Sequence, residues 1–343
     1  MTQSEITSGR FQFDDWDAAQ EHYMDGGMTD GLPIIPPTEP RVRAMLDHAG
    51  LAPGDVIGVE SIRQKRMTAE KVAINAVMAG CKPEYFPVVV AAAAAVCERS
   101  FNLHASSTST NGISILVLVS GPYAKEIGMN AGTGMMGNGN RANATIGRAL
   151  NLFKSNFYGS TAQDMDQSTF GYPGKYSFCF AENVDVSPWP SLAAAKGFAG
   201  DATTVTTFAA NSPLQVSAHG GKEPEDFLSG SAHAMQGLGP SISEVLVVIS
   251  PELMSYISEA GWSRERIAEF LHAKTQAPAK QWAAWHRIVQ AHAMQDPEGS
   301  VGCVPEPGRI TVVAGGGAAG AFTDLIASWA SSRSVTKEVQ LKR

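Results

Sequence analysis

Short apolar runs alternate with amphipathic segments along the chain from about residue 56 onward. The apolar or alternating runs predict strands at 113–119, 205–208, 245–249, 310–313 and 335–341. Apolar residues at helical spacing, with capping residues before them and glycines after them, predict helices at 68–80, 83–99, 140–157, 225–236, 252–259 and 264–292. Apolar strands separated by helices indicate an α/β fold, with helices on both faces of mixed sheets.

Two parts of the sequence resemble each other at a constant offset of 129 positions, without a gap. The matching residues are His104, Pro122, Ala131 and Gly132 in the first part and His233, Pro251, Ala260 and Gly261 in the second. The predicted strands 116–119 and 245–248 align between them, and the segment starting at Pro83 is echoed at Pro224. One interpretation is two related α/β halves that share a cleft. The other is coincidence between two apolar strand patterns.

The first interpretation predicts an N-terminal arm over 1–40, one half over 41–158, an irregular connection over 159–221 and a second half over 222–343. The alternative is one compact unit. Within the arm, Pro33, Pro36 and Pro37 prevent a helix and favour an extended segment. Such a segment can hold Asp30 in a fixed place as a catalytic carboxylate, or it can simply form a turn between two elements.

The segment 130–143 is rich in glycine and asparagine and directly precedes a predicted helix. Such a loop exposes backbone N–H groups at the positive end of a helix dipole, where anions bind. Arg141 in the first turn adds a cation suited to a carboxylate. This pattern predicts a substrate-binding site for an anion that contains Asn138, Asn140, Arg141 and Asn143. The alternative is a glycine-rich turn in which Asn140 only caps the helix.

Two glycine triplets, 132–137 and 315–320, have the spacing of a dinucleotide-binding loop. The first follows a predicted helix instead of a strand, and few residues remain after the second to complete a nucleotide-binding sheet. A nucleotide-binding oxidoreductase is therefore a third choice among functions, and no cofactor is predicted. The second triplet is predicted to open a helix. Gly316, between the first two glycines of this triplet, is predicted to bind the substrate, in a loop that lets the backbone approach the substrate or another element closely.

Several side chains are candidates for nucleophilic or acid–base catalysis. Cys81 lies between a helix end and Pro83, where the next helix dipole and Lys82 would favour its thiolate, although a buried inert cysteine is the alternative. An alternating pattern over 175–179 predicts a strand that presents Lys175 as a substrate-binding cation, with Glu182 at the strand end as a catalytic acid. His219 lies in a glycine-rich turn and is a candidate acid or base, or an ordinary surface histidine.

Composition limits the possible partners. The 343 residues include 26 Lys and Arg against 33 Asp and Glu, a net charge of −7 with no basic run, so nucleic acid and anionic membranes are not predicted partners. The four cysteines are far apart, and no metal-binding spacing occurs, so no metal site is predicted. The polar N-terminus does not resemble a signal peptide. We therefore expect a cytoplasmic protein, and we also expect a homo-oligomer.

Three longer motifs, at 30–38, 75–87 and 137–148, resemble a bacterial family of poorly assigned function. Its members are often encoded beside, or joined to, UGSC-motif (seleno)proteins, and the resemblance extends from about Asp30 to the final strand. It implies a catabolic bacterial enzyme that works with a thiol or selenol partner. Because this sequence contains no UGSC motif of its own, that partner would be a second polypeptide.

These observations predict an enzyme that acts on a small organic acid or its derivative, by hydrolysis or by cleavage of a C–X bond. The substrate carboxylate would bind at the start of the helix that follows Asn140. The alternative is a non-catalytic or partner-dependent subunit of a thiol or selenol redox complex.

Overall fold

The computed structural model describes residues 5–162 and 164–342. Its α-helices are α1 Trp16–Asp25, α2 Glu39–Ala49, α3 Ala69–Ala79, α4 Phe86–Val96, α5 Leu103–Ser107, α6 Pro122–Glu126, α7 Arg141–Phe153, α8 Leu192–Ala195, α9 Pro224–Gln236, α10 Pro251–Glu259, α11 Arg264–Lys274 and α12 Ala279–Ala284. Its strands are β1 Val56–Val59, β2 Arg66–Thr68, β3 Ser114–Ser120, β4 Cys179–Ala181, β5 Thr204–Ala210, β6 Leu214–Ser217, β7 Val245–Ile249, β8 Ala277–Pro278, β9 Ser300–Val301, β10 Ile310–Ala314, β11 Phe322–Ala327 and β12 Val335–Glu338.

Two four-stranded mixed sheets pack face to face at the centre of the molecule. Their strand orders are β12-β5-β3-β4 and β10-β7-β11-β6. Side chains alternate along each strand, so Leu116 and Leu118 of β3 pack in one apolar cluster with Leu246 and Val248 of β7. The other side of each strand packs under helices, in a separate cluster for each sheet. The predicted α/β class with mixed sheets is confirmed.

Each sheet is built by the same succession of elements. The central strand, β3 or β7, has a parallel neighbour, β4 or β10, and an antiparallel neighbour, β5 or β11. The helices also correspond, because α4, α6 and α7 of the first half occupy the same places in the chain order as α9, α10 and α11 of the second. This shared order of elements is what two related α/β halves would show.

The two halves exchange their last strands. Strand β6 follows β5 in the chain but pairs with β11 of the other sheet, and β12 follows β11 but pairs with β5. The chain segments at the ends of β5 and β11 cross at a bridge between Ala210 and Ser328. There the N–H of Asn211 donates to the carbonyl of Ala327 at 2.9 Å, and that of Trp329 donates to Ala209 at 2.8 Å. The donor and acceptor positions of these two bonds correspond between the halves, so the crossing is made in the same way from both sides.

The structure corrects the gapless alignment of the two halves. Val119 and Ile249 are the corresponding residues in the two central strands. The carbonyl of each accepts from the N–H of the residue that directly follows the parallel strand, Glu182 after β4 at 2.9 Å and Gly315 after β10 at 3.1 Å. That match places the strands 130 positions apart, whereas the following prolines are 129 apart. The extra residue is Gly121. Its φ of +123° is one that other residues rarely adopt, and a Cβ at this position would lie 2.4 Å from the carbonyl oxygen of Ala202.

Several predicted elements are wrong. The predicted long helix 264–292 ends at Lys274, because Pro278 follows and pairs in β8. The glycines at 315–320 lead into strand β11 instead of a helix. The predicted strand 175–179 is mostly a 3-10 turn and coil, with β4 starting only at Cys179. The predicted irregular connection 159–221 contains β4, β5 and β6. The arm and second-half ranges include residues 1–4 and 343, which lie outside the described residues.

We expect the two halves to stay together after the chain is cut between Gly220 and Gly221, in an exposed loop between β6 and α9. Each fragment would keep a strand paired in the sheet of the other, so separation would break both exchanged pairings. The measurement is gel filtration of protein carrying a protease site there. Co-elution in buffer, with separation in 6 M urea, is the expected result. Separation in buffer alone would contradict the exchange.

Candidate functional site

The two glycine-rich loops of the sequence, 130–139 and 315–320, meet in the structure. The N–H of Gly316 donates to the carbonyl of Ala131 at 3.0 Å. A Cβ at Gly315 would lie 2.7 Å from the Met135 side chain, and one at Gly317 would lie 2.6 Å from Thr133. Only glycine permits this approach. The second loop therefore packs closely against another element, one of the two roles predicted for it.

A small cleft of about 280 Å³ opens between these loops. We call it the glycine cleft. It lies at the edge of the second sheet, where parallel strands β7 and β10 end, a usual place for ligand sites in α/β folds. Its lining residues are Gly134, Met135, Met136, Gly137, Gln215, Val248, Ser250, Gly315, Gly316, Gly317, Ala319, Gly320, Phe322, Thr323 and Asp324.

Asp324 is the titratable side chain in the lining of the glycine cleft. It lies on β11, on the inner face that it shares with Ile326, between the two sheets. Its Oδ1 atom is buried and has no hydrogen-bond partner among the described residues. Burial raises the pKa of the Asp324 carboxyl to about 6. A carboxyl with that pKa can both donate and accept a proton near neutral pH.

The other buried carboxylates of the described residues are neutralised or hydrogen-bonded. They accept bonds from arginine, lysine or backbone N–H groups and are Glu60, Glu70, Asp166, Glu182 and Glu244. In the first half, the position that corresponds to Asp324 is held by Thr206, whose hydroxyl lies 2.9 Å from that of Thr336. Only the second half therefore places an acid between the sheets at this position.

The loop 315–320 contributes most of its residues to the lining of the cleft. The N–H groups of Gly317, Ala318 and Ala319 donate to no acceptor within the described part of the chain. The end of this loop is held by Glu252, whose carboxylate accepts from the Gly320 N–H at 2.9 Å. A loop with free N–H groups can bind an oxygen atom that carries negative charge.

The predicted anion site at the start of α7 is used to hold the first loop. The Asn143 side chain accepts from the N–H of Asn130 at 3.0 Å and donates to the carbonyls of Asn130 and Met135. Asn140 caps α7 and donates to the Gly128 carbonyl at 2.8 Å. Arg141 gives two bonds to the Gly80 carbonyl, at 3.0 and 2.9 Å. Asn138 is exposed. None of the three asparagines nor Arg141 lines the glycine cleft.

The structure contradicts the prediction of a reactive Cys81. The Cys81 side chain is buried and its thiol donates to the Thr145 carbonyl at 3.3 Å. Burial raises the pKa of this thiol to about 12, and the nearby arginines lower it only in part. The expected activation by a helix dipole is outweighed because removing a thiolate from water costs more than the dipole contributes.

The other predicted charged residues form ion pairs. The Arg148 guanidinium binds both oxygens of Asp30 at 2.8 Å, so this carboxylate anchors the N-terminal arm. Lys175 binds Asp166 at 2.6 Å and Glu182 binds Arg264 at 2.7 Å. These pairs occupy the groups that the sequence predicts for substrate binding and catalysis.

His219, one of the predicted catalytic residues, contacts a residue that lines the glycine cleft. Its ring stands edge-on to Phe322, with ring centres 5.1 Å apart, and Phe322 lines the cleft. Its Nδ1 lies 2.9 Å from the Ser217 hydroxyl. Of the predicted site residues, the structure places Gly316 in the cleft and His219 beside it.

The sequence pattern gave no signal for Asp324. An isolated acid in the alternating run 322–327 is typical of an exposed position on a strand. The inner face of this strand is buried because the first sheet packs against it, and a local sequence pattern does not show that contact.

No protein-family model matches the chain, and no curated protein is similar to it. Within the described residues, no three or more His, Cys, Asp or Glu side chains cluster in a way that could hold a metal ion. None of the described helices has the length and apolar character needed to cross a bilayer. The second glycine triplet lacks the helix that a dinucleotide-binding loop requires. The resemblance to the UGSC-associated family stays a prediction.

We expect Asp324→Asn to stabilise the protein above pH 6. The Asp324 pKa is raised from 3.8 to about 6 in the folded state, so the folded state holds the proton more tightly and stability falls as pH rises between these values. Asparagine does not ionise, which makes the variant more stable at pH 8 by up to about 3 kcal/mol. The difference should vanish near pH 4, as measured by urea unfolding at both pH values.

The control for this prediction is Asp201→Asn. Asp201 is exposed and lines the cleft at the edge of the first sheet, so its substitution should leave the pH dependence unchanged. Equal stability of wild type and Asp324→Asn at pH 8 would show that the Asp324 carboxylate is not destabilised by burial.

A thiol reagent should react slowly with the native protein at pH 8. All four cysteines are buried, and burial raises the pKa of every one of these thiols, so few thiolates are present and accessible. The measurement is absorbance after addition of a chromogenic disulfide, with and without denaturant. Four thiols should titrate at once only after unfolding. Rapid reaction of one thiol in native wild type, lost in Cys81→Ala, would restore Cys81 as a candidate nucleophile.

Proposed function

We propose that this chain is an enzyme that transfers protons to and from a small polar substrate in the glycine cleft, with Asp324 as the general acid and base. The observation that carries the proposal is the buried, unpartnered Oδ1 of Asp324 in the lining of a cleft. A buried polar atom without a partner costs stability, and such atoms concentrate at functional sites.

The proposed chemistry follows from two features of the cleft, the Asp324 carboxyl and the free backbone N–H groups of the loop 317–319. Ionised Asp324 accepts a proton from water or from the substrate, and protonated Asp324 returns it to a leaving group. The free N–H groups of the loop 317–319 are suited to an oxygen that gains negative charge during this step. Because they are fixed by the fold, they need little reorganisation as the charge develops. Hydrolysis and elimination both fit this arrangement.

The cleft has room for a small molecule of the class predicted from sequence, and because its described lining supplies a carboxylate and no cation, a derivative without a free carboxylate fits better than the acid itself. The binding mode changes, because Arg141 and Lys175 already bind groups of the protein. Nothing in the cleft specifically favours the partner-dependent redox subunit over a single-chain enzyme. A cytoplasmic location and a homo-oligomer remain part of the proposal.

The test is turnover by the purified chain on a panel of small carboxylic acids, amides, esters and thioesters. On any substrate found, Asp324→Asn should lower kcat by about 100-fold or more, because general acid–base catalysis contributes that much. The wild-type rate should change with pH around 6, the region in which the Asp324 carboxyl titrates.

Cys81→Ala and Asp201→Asn serve as controls, and both should keep wild-type turnover. Unchanged kcat in Asp324→Asn would remove Asp324 from the mechanism. Turnover that is lost in Cys81→Ala but kept in Asp324→Asn would favour thiol chemistry instead.

A further inference from the structure

Among the described residues, Asp324 is the only charged one in the lining of the glycine cleft. The remaining lining residues are six glycines and residues with neutral side chains. Neither lysine nor arginine faces the carboxylate from β6, β7 or the two loops. The neighbour of Asp324 across the strand pair is Gln215, and no hydrogen bond joins their side chains among the described residues. At neutral pH the cleft therefore carries a negative charge that the protein does not neutralise.

This imbalance restricts the chemistry of a ligand. A bound carboxylate would place two like charges together in a partly buried site, which is unfavourable. A neutral donor would satisfy Oδ1 but leave the charge. An ammonium group would both donate a hydrogen bond to Oδ1 and neutralise the charge of the carboxylate, and such a charge-assisted hydrogen bond is stronger than a neutral one.

The loop 315–320, which also lines the cleft, offers complementary groups. Gly317 and Ala319 line the cleft, and their N–H groups are free among the described residues. They suit an oxygen atom on the same ligand. The volume of about 280 Å³ lies at the lower end of the range for ligand pockets and fits a molecule of few heavy atoms.

We infer that the ligand of the glycine cleft is a small amino compound, bound with its ammonium group on Asp324 and an oxygen atom toward the loop 317–319. The inference rests on the proposed function only in placing the substrate in this cleft. It concerns binding, so it can be tested without turnover.

The experiment uses three probes of nearly equal size and different charge, which are ethylammonium, acetamide and acetate. Their binding to wild type is measured by ligand-observed NMR titration at pH 7.5, where affinities of about millimolar are expected for so few atoms. Ethylammonium should bind most tightly and acetate least. Asp324→Asn should lose the preference for ethylammonium.

The affinity for ethylammonium should fall about tenfold from pH 7.5 to pH 5, because protonation of a carboxyl with pKa of about 6 removes the charge. Other titratable groups near the cleft are Glu252 on α10, which holds Gly320, and His219, which packs against Phe322. His219→Gln is therefore the matched control and should keep the tenfold change.

Tighter binding of acetate than of ethylammonium at pH 7.5 would overturn the inference and return the site to the carboxylate ligands predicted from sequence. A pH dependence that disappears in His219→Gln but not in Asp324→Asn would also overturn it. Failure of the proposed function is a separate result, because ethylammonium binding at Asp324 can persist even where Asp324→Asn keeps full turnover.

Discussion

The crossing of two segments of the chain at Ala210 and Ser328 is the constraint on which the rest of the structure depends. Two backbone hydrogen bonds fix it, and beyond it each half supplies the edge strand of the other sheet. The exchange holds the inner faces of the sheets against each other, so that Leu118 and Val248 share one apolar cluster. Neither sheet can complete its pairing without the other half. The position of the glycine cleft follows from this arrangement.

The two halves differ most at the ends of their parallel strands. Glu182 and Gly315 correspond, since their N–H groups make the same bond to the central strand of each sheet. In the first half the glutamate is bound by Arg264 of the second half, which ties the halves together. In the second half the glycine lets Met135 approach, and the two loops form the cleft. Clefts open at both of these strand ends. The acid at the first, Glu182, is neutralised by an arginine of the other half, whereas Oδ1 of the acid at the second, Asp324, has no partner among the described residues.

Asp324 opposes the stability of the fold at neutral pH. Its Oδ1 atom is buried on folding and gains no partner among the described residues, whereas Thr206 at the corresponding position has a hydroxyl partner. A neutral residue at this position should make the protein more stable than the acid does. An acid at such a position is typical of a residue kept for function. The same burial that destabilises the ion moves its pKa toward neutrality, where proton transfer is most effective.

Local pattern alone determined the α/β class, the central strands and the correspondence of Pro122 with Pro251, because apolar periodicity and proline or glycine stops act over a few residues. It also found both glycine loops and Gly316. It could not determine the strand exchange, the register gap at Gly121 or the ion pairs of Asp30, Lys175 and Glu182, since these depend on contacts between distant parts of the chain. Tertiary structure alone decided the pKa values of the Cys81 thiol and the Asp324 carboxyl, because each pKa depends on which groups surround the side chain after burial; it moves the first away from neutrality and the second toward it.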